Sequence, residues 1–192
     1  RSVLTNMCAE IGAKAGVVPS DQTTIDHFAA LDIAVEAGPL SDDDAVYSER
    51  WQYDGAEIEP VIARPNRHDD VIPISQLGEA RINRAYIGSC TGAKYEDLAM
   101  AAKVLKGRTV DPGVLLQVAP ASRAALRQAM EDGTAQTLMD AGAHILSTGC
   151  GACPGIGSGL LAAGEVSIST TNRNFRGRMG DPDSSVYLGS PY

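Results

Sequence analysis

From residue 82 onward, short apolar runs alternate with helical patterns, and this alternation limits the possible folds more than any other feature. Residues 82–87, 114–118, 144–146, 166–169 and 186–188 read as strands. Between them, 94–105 forms an amphipathic pattern closed by Gly107. Pro120-Ala121-Ser122 opens a helix over 123–131, and a shorter helix covers 135–140. Strands separated by helices pair in parallel through crossovers. The expectation is an α/β fold, a three-layer α/β/α arrangement around a mostly parallel sheet. Ligands of such sheets sit beyond the carboxyl ends of the strands. Cys90, Cys150 and Asn172 each fall just after an expected strand.

The first part of the chain is less regular. A helix is expected over 3–13, with Gly16 as a left-handed cap. Ser20-Asp21 caps a second helix, from about 22 through 37, which Gly38-Pro39 ends. Residues 42–55 are polar and turn-rich, 56–63 suits a short exposed strand, 65–70 a surface loop and 76–79 a linker. The expected division is therefore 1–77, part of one α/β domain, and 78–192, a second α/β domain. The chain opens without methionine in mid-element and closes straight after an apolar run, so a fragment is expected.

Charge narrows the function. Sixteen Lys and Arg stand against 24 Asp and Glu, a net charge of −8. A nucleic-acid partner, which needs a basic face, is disfavoured, but converging arginines can still hold a small anion. No apolar run approaches a membrane span, and no signal-peptide core is present, so a cytoplasmic location without a membrane partner is expected.

Three of the four cysteines stand among glycines: Gly88-Ser89-Cys90-Thr91-Gly92 and Gly149-Cys150-Gly151-Ala152-Cys153-Pro154-Gly155. Small neighbours let backbone N–H groups approach a bulky inorganic group. A thioredoxin-like pair would use Cys150 and Cys153 but leaves Cys90 unexplained. A zinc site would need a fourth ligand such as His144. An iron–sulfur cluster on Cys90, Cys150 and Cys153 fits best, and three thiolates where four are usual leave one iron open. Cys8 lies in the apolar pattern of the first helix and is expected in a core. His27, His68 and His144 are expected to have ordinary structural roles.

A last motif follows strand 166–169: Asn172-Arg173-Asn174-Phe175-Arg176-Gly177-Arg178-Met179-Gly180. Guanidinium forks match carboxylates bidentately. Two of them near an open iron suit a di- or tricarboxylate. Together, Ile87-Gly-Ser-Cys-Thr91, Gly149-Cys-Gly-Ala-Cys153 and this arginine motif resemble the aconitase superfamily. Leu4-Thr-Asn-Met-Cys-Ala-Glu-Ile-Gly-Ala13 resembles the family's Asn-Met-x-x-Glu-x-Gly helix. Gly-Arg-Met-Gly after Asn-Arg-Asn-Phe is closer to the large subunits of 3-isopropylmalate dehydratase and homoaconitase than to aconitase itself.

The resemblance implies an aconitase-type iron–sulfur domain and a [4Fe–4S] cluster on Cys90, Cys150 and Cys153. It implies substrate carboxylates held by Arg173 and Arg178, hydrogen bonding around the cluster by Asn6 and Asn172, and proton handling by Glu10. Arg176 falls at a variable position of the motif and is read as surface. The implied activity is that of a hydro-lyase, dehydrating and rehydrating a hydroxy di- or tricarboxylate such as 3-isopropylmalate in leucine biosynthesis. Homoaconitase or aconitase chemistry, and a non-catalytic iron–sulfur sensor, are the alternatives. The family's base is a serine on a swivelling domain, here a small subunit, and its histidine–carboxylate pairs come from a preceding N-terminal segment. Neither is recognisable in these residues, so the chain alone is expected to be poorly active. One departure stands out: the family commonly has Asn after Gly-Ser-Cys-Thr, where this chain has Gly92.

Overall fold

The computed structural model describes residues 1–192, which form two compact units, 1–58 and 59–192. Strands β1 (Val61–Ala63) and β2 (Val71–Pro73) lie in the second unit with everything that follows. The boundary near 78 read from the sequence thus falls inside that unit. The expected exposed strand at 56–63 shortens to β1, whose Ile62 and Ala63 are buried.

In the first unit, α1 (Ser2–Met7) passes into a 3-10 turn over Cys8–Ile11, capped by left-handed Gly12 rather than Gly16. Helix α2 (Gln22–Ala29) starts at Asp21, whose carboxylate accepts the Thr24 amide and grips the Arg1 guanidinium. It stops eight residues before the expected end, where the chain turns through Asp32 at φ 57°. No residue of this unit is buried. Cys8 is therefore half-buried rather than in a core, and its Sγ donates to the Leu4 carbonyl at 3.1 Å.

The second unit is built on one mixed, mostly parallel sheet. The remaining strands are β3 (Arg84–Gly88), β4 (Leu115–Ala119), β5 (His144–Ile145), β6 (Val166–Ser169) and β7 (Ser185–Leu188). Their order is β2-β1-β7-β6-β3-β4-β5. From β7 to β5 all pairings are parallel, and β1 and β2 add an antiparallel edge.

Helices α4 (Tyr95–Leu105), α5 (Arg123–Glu131) and α6 (Thr134–Asp140) pack together on one face. Asp97 caps the Lys94 amide at 3.0 Å, and Ser122 Oγ caps the Ala125 amide at 3.1 Å. Helical spacing turns Leu98, Ala101 and Ala102 of α4, and Ala135 and Leu138 of α6, onto Ile87, Leu116 and Val118. Burying Leu98 or Leu138 stabilises this layer by about 2 kcal/mol each. The small alanines let the helices lie close to the strands.

The opposite face is covered by loops instead of helices. Tyr86, Ala119 and Val186, which alternate with the residues facing the helices, pack against Ala152, Leu161 and Met179. No helix is long and apolar enough to cross a membrane.

Candidate functional site

The strand order reverses between β3 and β6. Connections from β3 lead outward to β4 and β5, whereas β6 leads to β7 on the other side. Loops leaving such neighbours diverge and open a crevice at the carboxyl end of the sheet. Cys90 follows β3 on a short helical turn, α3 (Ser89–Gly92), and Asn172 and Arg173 follow β6. Cys150 and Cys153 follow β5.

Backbone bonds lace these loop bases together. The Ala121 amide donates to Ala93 O at 2.8 Å, Gly149 N to Pro120 O at 2.9 Å, and Thr170 N to Tyr86 O at 3.0 Å. Ser89 is 1% exposed and holds a left-handed φ of 75°, which turns the chain sharply enough to leave Cys90 exposed. Cys150 is also exposed, and Cys153 is buried.

Cys90 and Cys150 each lie within electrostatic reach of Cys153. Burial pushes the Cys153 thiol above its ordinary range, opposed by Arg178, while Cys150 and Cys90 lie near enough to raise it further. Arg178 Nε is buried with no hydrogen-bond partner. No group of three His, Cys, Asp or Glu closes to the spacing of a single metal ion. His144, the imidazole weighed as a zinc ligand, is exposed on β5 opposite Gln117.

The arginine motif is fastened from several sides. Asn174, 1% exposed, donates from Nδ2 to Arg64 O at 2.7 Å and Val186 O at 2.8 Å. Phe175 meets the His68 ring edge-on at 5.3 Å. Met179 O accepts the Leu161 amide at 3.0 Å, which ties this loop to the segment after Cys153. Arg176 points away, pairing with Asp183 at 2.9 Å, as its reading as surface requires.

Asn6 on α1 and Glu10 on the following 3-10 turn belong to the first unit. Cys90, Cys150 and Arg178 thus lie within electrostatic reach of Cys153, and Asn172 and Arg173 leave the same end of the sheet. An apolar cavity of about 220 Å³ against α4, lined by Ile87, Val104, Leu105, Ile168 and Pro191 among others, contains none of the cysteines or arginines.

Sequence reasoning missed three supporting side chains. Tyr86 hydroxyl donates to Cys150 O at 2.8 Å. Its pKa is pushed up to about 12, chiefly by burial, so it remains a neutral donor. Thr170 Oγ1 accepts the Gly88 amide at 3.0 Å, and Asn174 anchors the arginine loop. The available signal was the glycines: a Cβ at Gly88 or Gly151 would overlap Tyr86, and one at Gly92 would overlap Thr170.

Comparison with known proteins shows the family. The family model described as "Aconitase family (aconitate hydratase)" matches residues 1–81 and 75–192. The chain is 44% identical over 191 residues to a probable methanogen homoaconitase large subunit of Methanothermobacter thermautotrophicus, covering 100% of this chain and 45% of that protein. It is 43% identical over 192 residues to 3-isopropylmalate dehydratase large subunit 2 of Archaeoglobus fulgidus, covering 100% and 46%. With the 3-isopropylmalate dehydratase large subunit of Picrophilus torridus it shares 44% over 193 residues, again covering 100% and 46%. The chain therefore spans less than half the length of the curated relatives it matches. Matched over both units, with its three cysteine and arginine motifs gathered at the carboxyl end of one α/β sheet, this chain belongs to the aconitase family.

Proposed function

We propose that Cys90, Cys150 and Cys153 hold a [4Fe–4S] cluster in a hydro-lyase large subunit acting on a hydroxy dicarboxylate of the 3-isopropylmalate type. The donor set supports the fit. It consists of Cys153 with Cys90 and Cys150 within electrostatic reach of it, three thiols that leave one iron of a cubane without a protein ligand. When bound, such a cluster supplies a Lewis-acidic iron, without a protein thiolate, that polarises a substrate hydroxyl.

The protein's own residues then have distinct tasks. Arg178 carries the reading, because a buried guanidinium nitrogen without a hydrogen-bond partner, on a side chain near the Cys153 thiol, is a donor awaiting an anion. Arg178 and Arg173 hold substrate carboxylates and reduce their mutual repulsion. Asn172 and Asn6 donate hydrogen bonds around the cluster and its ligands. Glu10 handles the proton of the hydroxyl that leaves and returns. The carbon-bound proton is taken by a base outside these residues, carried by a small subunit.

A homoaconitase-type substrate is the second reading, favoured by the name of the Methanothermobacter relative. The test uses the full-length large subunit, reconstituted anaerobically with iron and sulfide and combined with its small subunit. Expected are a broad absorption near ~400 nm and turnover of isopropylmalate, both lost in Cys150→Ser. Turnover of homocitrate alone selects the second reading. An unchanged band in Cys150→Ser overturns the ligand assignment, and a cluster without turnover of any hydroxy acid overturns the enzymatic reading.

A further inference from the structure

Cys150 to Cys153 forms a tight turn, with the Cys153 amide donating to Cys150 O at 3.0 Å and Gly151 at φ 50°. The same carbonyl accepts the Tyr86 hydroxyl at 2.8 Å. One phenol hydroxyl thus holds the peptide carbonyl that precedes Gly151. The Tyr86 ring also lies between the two cysteine segments, since a Cβ on either Gly88 or Gly151 would overlap it. Gly88 is two residues before Cys90, and Gly151 immediately follows Cys150.

We infer that Tyr86 is a positioning residue that clamps the Cys150–Cys153 turn and spaces it from the Cys90 segment. Its role toward a cluster rests on the proposed function, but the clamp itself is a property of the polypeptide. Without the hydroxyl, the Cys150 carbonyl keeps only the Cys153 amide as a donor, and opening of the turn exposes the buried Cys153. Loss of one neutral hydrogen bond, about 1 kcal/mol, raises the open fraction about fivefold.

The test compares full-length parent, Tyr86→Phe, and Val118→Ala, a change in the core cluster on the opposite face of the sheet, separate from the one that holds Tyr86 and Ala152, that lowers stability. In the iron-free form, alkylation is followed at each cysteine by peptide mass mapping. Expected is an approximately fivefold faster reaction of Cys153 in Tyr86→Phe, with Cys8 unchanged and Cys153 unaffected in Val118→Ala. In the iron-loaded form, chelator should bleach the ~400 nm band of Tyr86→Phe about fivefold faster than that of the parent. Equal Cys153 rates in Tyr86→Phe and the parent, or the same acceleration in Val118→Ala, overturn the clamp. A parent that takes up no iron and sulfide defeats the cluster reading instead, and the alkylation comparison still decides the role of Tyr86.

Discussion

Thr170 Oγ1 donates to the Gly92 carbonyl at 3.0 Å, fastening the end of β6 to the helical turn that carries Cys90. This contact accounts for the glycine that stands where the family commonly has asparagine. A Cβ on residue 92 would overlap the Thr170 side chain and its carbonyl oxygen. Gly92→Asn is expected to cost about 1–3 kcal/mol in denaturant unfolding, because backbone as well as side chain must shift. A variant as stable as the parent would mean that the turn relaxes freely.

Asn174 bridges two segments with one amide group. Asn174→Ala leaves the Arg64 and Val186 carbonyls without that donor and is expected to lower stability by about 2 kcal/mol. Because the same residue sits between Arg173 and Arg178, amide exchange around 172–179 should quicken more than in α5. Uniform quickening across the unit would argue against a local anchor.

Arg84 Nε lies 2.8 Å from Glu165, joining the first residue of β3 to the residue before β6 in a half-buried pair. Burial opposes ionisation of Glu165, but Arg84 and the Ala162 amide outweigh it and hold its pKa below the ordinary 4.5. A depressed folded-state pKa contributes stability that is present above the unfolded value and lost as pH falls through the folded one. Glu165→Gln should therefore unfold more easily than the parent by about 1 kcal/mol near neutral pH. The gap should narrow as pH falls below the ordinary 4.5 and through the lowered folded value. Urea titrations at pH 7 and pH 3.5 would measure it, and a gap that widens in acid would contradict the assignment.

Arg178→Lys retains a positive charge but not the fork. On the proposed function, the cluster band stays and kcat/KM for the hydroxy acid falls about ten- to a hundredfold, the loss expected when a charged bidentate contact becomes a single one. Steady-state kinetics of the complete enzyme, normalised to iron content, would measure this. Unaltered kinetics would remove Arg178 from substrate binding.

The linear order of residues was sufficient for α4, α5 and β6, because caps and apolar spacing act within a few positions. Ser122 before Arg123, and Asp97 three residues after Lys94, mark helix starts in any context. The glycine-flanked cysteines and the arginine motif were equally legible, since each is a contiguous string. The length of α2 was not, because the turn at Asp32 has no strong local signal. Nor was β2, three residues long and half-exposed, which exists only because β1 pairs with it. The deeper limit is separation along the chain. Tyr86 meets Cys150 across 64 residues, and Thr170 meets Gly88 across 82. The reversal between β3 and β6 depends on which strands become neighbours. Local periodicity determined which segments become strands and helices, but only long-range pairing and side-chain packing decided what surrounds the three thiols.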